Sequence, residues 1–292
     1  MRSHTERLAY RLGYTSGAFS FLKTLSGAVG RSGSSMIGMV LARMYCATQP
    51  GVVSVVARNL ELLGHPAPRR SAPKVFENFA RTLADYFWLA GKTREEAAAL
   101  ADIEGPLPDI PSGSGAVLAT GHFGFFEYGA LVLGMKGVPV SVVTHAEPSS
   151  ALTRWRADYR LRWDAETIEL GSDSFSSLRA ATAIGRGRLT AMLVDRPAGG
   201  RSMDIALPGG SIPFSMAPAL LSWMVGCPIL AASVRRTPNG RYAVTTNPLV
   251  VADRRLPRDE ALLDCTRRVA GTLIRDFQRD PLQWYHFVAL AS

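Results

Sequence analysis

Apolar residues recur at three- and four-residue spacing over 71–90, at Ala72, Phe76, Phe79, Ala80, Leu83 and Phe87. That spacing predicts a long amphipathic helix with one face turned to a core. Pro73 falls in the first turn of this stretch, where backbone N–H groups lack helical partners, and Gly91 is placed to end it. Thr93 and Glu96 have the spacing of a capping box, which opens a further short helix. Three prolines and three glycines over 105–115 mark a loop. After that loop the pattern alternates. Short apolar runs predict strands at 116–120, 139–144, 167–170, 189–194, 229–234 and 241–247, and helical periodicity predicts helices at 126–135, 150–162, 175–185, 217–225 and 259–279.

This alternation argues an α/β fold: a mixed, mainly parallel sheet flanked by helices. There are no internal repeats, and 292 residues suffice for one large core. The N-terminal stretch over 17–46 is rich in small and apolar residues but is interrupted by Lys23, Arg31 and Arg43. No uncharged run reaches the ~20 residues of a membrane span, and there is no clean signal-peptide pattern. The stretch predicts two helices, 18–30 and 35–46, lying in or on a membrane interface with basic residues reaching toward head groups. The alternative is that they pack on the domain itself. The chain is accordingly divided into an N-terminal interfacial segment, 1–48, and a main domain, 49–292.

Composition sharpens this in two respects. Hydrophobic residues make up 47% of the chain, which places it among globular proteins, and a mean hydropathy of +0.07 points to some exposed apolar surface. The formal net charge is +9, and only four of the 33 basic residues are lysines. Arginine suits phosphate and carboxylate recognition, although the excess also fits a GC-rich genome. A basic surface attracts anionic lipid head groups or acidic carrier proteins. No Lys/Arg run or nucleic-acid module is present, so nucleic acid is not an expected partner. Cys46, Cys227 and Cys265 are scattered and odd in number, which fits packing roles in a reducing compartment. The histidines lack ligand spacing, so no metal is implied.

The candidate chemistry sits at Gly121-His122-Phe123-Gly124-Phe125-Phe126-Glu127, between a predicted buried strand and a predicted helix. Open α/β sheets place their sites at such strand ends. A neutral imidazole can take a proton from a hydroxyl, and a carboxylate can fix its tautomer and stabilise the imidazolium. Read otherwise, His122 is a core histidine and Glu127 a first-turn acid favoured by the helix dipole. His145 and Asp195 also follow predicted strands, so parallel strands would put them on the same rim. Over 154–163, Arg156 and Arg160 share a helix face while Trp155, Tyr159 and Trp163 form an aromatic stripe. This is either an aromatic core face with solvated arginines or an anion site with aromatics at a membrane interface. There is no Gly-x-Ser-x-Gly elbow or dinucleotide fingerprint, and Gly91-Lys92-Thr93 has Tyr86 where a phosphate loop needs its leading glycine.

The His-x4-Glu block resembles the late acyltransferases of lipid A biosynthesis, in the lysophospholipid acyltransferase superfamily, whose hallmark is His-x4-Asp/Glu. The resemblance extends over 52–287. It includes Ala57-Arg58-Asn59-Leu60-Glu61-Leu62, Phe76-Glu77-Asn78-Phe79, Arg160-Leu161-Arg162, Asp195-Arg196-Pro197, Gly226-Cys227-Pro228 and Gln283-Trp284-Tyr285-His286-Phe287. It implies a peripheral or monotopic O-acyltransferase at the cytoplasmic face of a bacterial inner membrane. Such an enzyme moves a fatty acyl chain from an acyl carrier protein or coenzyme A thioester onto a lipid or glycolipid hydroxyl. The thioester is a co-substrate, and no further cofactor is implied. His122 would be the general base with Glu127 as its partner. Arg160, with Arg162 as the fallback, and Asp195 with Arg196 would bind substrate. By its spacing, Asp195 is also free to pair with Arg160 or Arg196, or to act as a plain turn residue. The chain departs from the family in lacking a clear membrane span, in the residue after Asp195, and in carrying Met216 where small polar residues are common, so the acceptor pocket is expected to differ. A non-lipid-A acceptor and a catalytically idle membrane- or carrier-binding module are the remaining alternatives.

Overall fold

The computed structural model describes residues 16–104, 110, 113–135, 137–145, 149–170, 176–197 and 200–290. In chain order its elements begin with α1 (Ser16–Thr48), α2 (Pro50–Leu62), α3 (Pro68–Leu89), α4 (Arg94–Ala98), β1 (Ala101–Glu104), β2 (Ala116–Thr120), α5 (Phe126–Met135) and β3 (Val140–His145). They continue with α6 (Ser150–Leu161), β4 (Ala165–Leu170), α7 (Ser176–Gly185), β5 (Leu189–Leu193), β6 (Ser202–Leu207) and β7 (Gly210–Ser215). The chain closes with α8 (Ala217–Val225), β8 (Ile229–Arg236), β9 (Tyr242–Thr246), α9 (Arg258–Arg279) and a 3₁₀ turn, Pro281–Gln283.

Seven strands form one sheet in the order β1-β9-β8-β2-β5-β3-β4. Pairing is parallel except between β8 and β9, as the alternating pattern predicts. All five residues of β2 are buried, because helices cover both faces of this central strand. Val117 and Ala119 face one core with residues of α7, α8 and α9, while Leu118 faces another with Ala130 and Leu133 of α5. Since β2, β5 and β8 run parallel, their C-terminal ends share one rim.

Several expectations are corrected. Helix α3 starts at Pro68, so Pro73 lies inside it and not in its first turn. The capping box of Thr93 and Glu96 is present. The segment around Pro208-Gly209-Gly210, where no strand is predicted, is an antiparallel hairpin of β6 and β7. Its signal was the alternation of Met203, Ile205 and Leu207, which pack on the core, with exposed Ser202, Asp204 and Ala206. Strand β1 has only four residues and no apolar run of its own. Phe175 and most of the loop over 105–115 lie outside the described residues.

The two N-terminal helices expected at 18–30 and 35–46 are both present within α1, meeting at a kink at Gly30, where the backbone is not helical (φ 70°, ψ 176°), with the second helix starting just after it. Helix α1 packs along α3. Arg31 makes a bidentate pair with the buried carboxylate of Asp85 at 2.8 Å, and Asp85 also accepts from the Tyr242 hydroxyl. Arg43 donates to Glu77 at 2.8 Å. The outer face of α1 carries exposed Met36, Ile37, Val40, Leu41, Met44 and Tyr45, at the spacing of a single helical face. No single described helix is long and apolar enough to cross a membrane. The pair formed by α1 and α2, bent by 101°, meets the length and composition together.

Candidate active site

The turn after β2 places His122 on the rim. Gly121 and Gly124 make the turn possible. A Cβ on Gly121 would stand 2.4 Å from Cζ of Phe277, and Gly124 has φ 53° with its would-be Cβ 1.8 Å from the Val234 carbonyl oxygen. Phe123 and Phe125 anchor the turn in two cores, stacking on Phe277 and Tyr128. The C-terminal segment closes over it. The N–H of Gly124 donates to the Gln283 carbonyl at 2.8 Å, and the N–H of Tyr285 donates to the His122 carbonyl at 2.7 Å. Asn59 in α2 holds the same segment from behind, donating to the carbonyls of His286 and Val288.

The imidazole's carboxylate partner is Asp195, which corrects the expectation that Glu127 holds the ring. Nδ1 of His122 lies 2.8 Å from Oδ1 of Asp195, and the His122 backbone N–H donates to both carboxylate oxygens, at 3.1 and 3.0 Å. Asp195 is completely buried. Burial works to raise its carboxyl, but His122 and the indole N–H of Trp284, 2.8 Å from Oδ2, hold it well below the usual carboxylate range. An ionised carboxylate only accepts, so the neutral ring carries its proton on Nδ1 and leaves the Nε2 lone pair free. The His122 side chain is 19% exposed, and its ring meets the edge of Phe126 at 5.6 Å.

Glu127 is engaged elsewhere. Its Oε1 accepts from Arg160 Nη2 at 2.7 Å and also from Arg156, both on α6. Burial pushes its carboxyl up, yet the two guanidiniums prevail and hold it at about 2. The shared face of Arg156 and Arg160 is thus real, but it turns inward to Glu127. Arg160 is buried and also donates to the Thr167 hydroxyl at 3.3 Å. Burial and the Glu127 charge keep the neighbouring Tyr86 phenol far above its ordinary range.

The remaining candidates are dispersed. Arg162 donates to the carbonyls of Ala90 and Lys92 at the end of α3 and is not brought to His122. Arg196 is half-buried and donates to the Tyr285 carbonyl at 3.3 Å; burial lowers its guanidinium while Asp195 opposes that shift. His145 ends β3 as an exposed residue. His286 is buried, as expected of a packing residue, and burial lowers its imidazole. Tyr159 and Trp163 are buried, so the aromatic stripe is core and not an interfacial belt. Two participants are singled out in the sequence without these roles: Trp284, in the terminal segment of the resemblance, donates to Asp195, and Arg156, on a face read as a site for an outside anion, pairs with Glu127.

A narrow apolar recess opens beside this site between α5 and strands β2, β8 and β9. Leu118, Phe126, Gly129, Leu230, Val234 and Val244 are among its lining residues. Phe126 belongs to both the recess and the surroundings of His122.

Comparison with known proteins adds the following. A family model described as "Bacterial lipid A biosynthesis acyltransferase" matches residues 8–290. Among solved structures, a 1-acyl-sn-glycerophosphate acyltransferase from Thermotoga maritima is similar, with 14% sequence identity, a TM-score of 0.38, and coverage of 83% of this chain and 98% of that one. No curated protein sequence matches significantly.

Proposed function

The chain belongs to the bacterial lipid A biosynthesis acyltransferase family and is an acyltransferase, and from that premise we propose that it is a membrane-associated O-acyltransferase with His122 as its general base. The acyl donor is a thioester of acyl carrier protein or coenzyme A, and the acceptor is a hydroxyl of a membrane lipid or glycolipid. Nε2 of His122 takes the proton of that hydroxyl as its oxygen bonds to the thioester carbonyl carbon. The tetrahedral intermediate collapses, the C–S bond breaks, and the imidazolium returns the proton to the departing thiolate. Asp195 stabilises the imidazolium between the two steps, being ionised, buried and 2.8 Å from Nδ1.

The observation that carries this reading is the His122–Asp195 pair itself: one ring nitrogen tied to a buried carboxylate and the other free on a partly exposed edge. A protein nucleophile has less support, since Cys227 and Cys265 are buried with their thiols pushed up by burial, the latter to about 11. The apolar recess that starts at Phe126 is the proposed entry for the acyl chain, and at ≈ 20 Å³ it has to widen to take one. Arg196, beside Asp195, is positioned by sequence to meet an anionic group of donor or acceptor. Arg160 and Glu127 act by fixing α6 against α5 next to the site. The outward apolar face of α1 and the excess of arginine suit an anionic membrane surface at the cytoplasmic side of the inner membrane, with the protein peripheral or monotopic.

The test is incubation of the purified protein with acyl-coenzyme A or acyl carrier protein thioesters and bacterial lipid extract, followed by mass spectrometry. The expected result is a lipid heavier by one acyl group that is absent with His122→Ala. Thioester consumption without any acylated lipid would refute the O-acyl transfer.

A further inference from the structure

We infer that Trp284 is the positioning residue that fixes Asp195 against His122, an inference that rests on the base role proposed above for that histidine. Asp195 accepts its hydrogen bonds from two sources. His122 supplies the ring Nδ1 at 2.8 Å to Oδ1 and its own backbone N–H to both oxygens. Trp284 supplies its indole N–H at 2.8 Å to Oδ2. Among the described residues, every hydrogen-bond donor to this carboxylate other than Trp284 therefore belongs to His122 itself. Those donors tie Asp195 to the His122 turn alone, and among the described residues one donor, the indole, reaches the carboxylate from a different segment.

The indole is itself immobilised. Trp284 is buried, its ring stacks on Phe277 at 5.5 Å and 15°, and the His286 ring covers it at 4.9 Å. Its backbone bridges to Phe123, and the adjoining Tyr285 N–H holds the His122 carbonyl. One short segment thus grips both members of the pair, His122 through its backbone and Asp195 through its side chain.

The chemistry of the donor matters as much as its place. An indole N–H donates, accepts nothing and carries no charge. It orients Asp195 without neutralising it, so the full negative charge remains available to the imidazolium. Glu127 is the contrast in the same protein, with its charge shared between two guanidiniums. An arginine in place of Trp284 would orient Asp195 equally well and cancel the field the reaction uses.

The experiment is Trp284→Phe, which keeps an aromatic ring on Phe277 and removes the N–H. In acyl-transfer assays kcat is expected to fall about tenfold with KM little changed, the signature of support lost in the transition state. A second readout does not involve transfer. In protein labelled with nitrogen-15 at histidine, the downfield Nδ1 proton assigned to His122 by its loss in Asp195→Asn should move upfield in Trp284→Phe. If wild-type protein transfers no acyl group but this proton still moves, the positioning role stands and the reaction assigned to the site is wrong. If transfer occurs and the variant alters neither kcat nor the proton, Trp284 is a packing residue and the inference falls. Should the phenyl variant not fold, benzothienylalanine at position 284, which exchanges the N–H for sulfur, carries the same test with the same outcomes.

Discussion

Oδ1 of Asp195 lies 2.8 Å from Nδ1 of His122, across 73 positions of sequence. The pair exists because β2 and β5 are parallel neighbours, so the residues just past their C-terminal ends meet on one rim. Asp195→Asn preserves the shape and removes the charge that supports the imidazolium. It is expected to lower kcat about 10²-fold or more in steady-state assays, with an unchanged circular dichroism spectrum. Full activity in that variant would show that the carboxylate has no part in the chemistry.

His122→Ala removes the proposed base and should lower turnover by roughly 10²–10⁴-fold. The two residues act as a unit, so the double variant should be no slower than His122→Ala alone. Rates that multiply would mean that the two side chains serve separate steps.

The sheet and the rim position of His122 were legible in the sequence, but the carboxylate that meets its ring was not. Strand β2 is an unbroken apolar run closed by Gly121, and that local pattern suffices to put His122 on a rim. The His-x4-Glu spacing then pointed to Glu127, because spacing along the chain is what a sequence displays. Glu127 instead lies in the first turn of α5, facing α6, where Arg156 and Arg160 take its charge. Asp195 was visible as a strand-end residue. Its meeting with His122 depends on which strands are neighbours, and no local pattern reports that order. Trp284 lay further out of reach, since it arrives from beyond the last helix.

The Glu127 cluster gives a pH prediction with a definite sign. Its carboxyl is held at about 2 in the folded protein against an ordinary glutamate value of 4.5, so its stabilising contribution is complete above about pH 4.5 and is lost as pH falls toward 2. Asp195 is depressed for its own reasons and acts in the same direction. Urea unfolding should show stability falling over that window. Glu127→Gln should flatten the slope and cost about 3 kcal/mol at pH 7, because two inward-turned arginines lose their counter-charge. An unchanged slope would mean that the cluster is not coupled to folding.

Gly129 offers a test of the acyl site. A Cβ placed there would come within 2.8 Å of Cγ2 of Val234 and so narrow the recess. Gly129→Ala is expected to lower kcat/KM for a 16-carbon thioester about tenfold relative to an 8-carbon one, given the ~1–3 kcal/mol by which a pocket distinguishes small changes in fit. Overpacking should also cost about 1–2 kcal/mol of stability. Equal losses for both chain lengths in folded protein would place the acyl chain elsewhere.

Membrane docking is better probed by substitution than by deletion. Removing α1 would strip Arg31 from the buried carboxylate of Asp85 and Arg43 from Glu77, so a truncated chain would confuse loss of docking with loss of fold. The outward face of α1 allows a cleaner experiment. Met36, Leu41 and Met44 are each about 60% exposed, and exposed positions of this kind contribute little to folding. Inserted into lipid, such side chains gain up to about 1.5–3 kcal/mol each. Replacing all three with serine should reduce binding to vesicles containing anionic phosphatidylglycerol by more than tenfold in a sedimentation assay. The thermal midpoint should stay within a few degrees of wild type. Added salt should release part of the wild-type protein, because the net charge of +9 contributes to the attraction. If the triple variant is folded and still sediments fully with vesicles, the docking surface is not on α1.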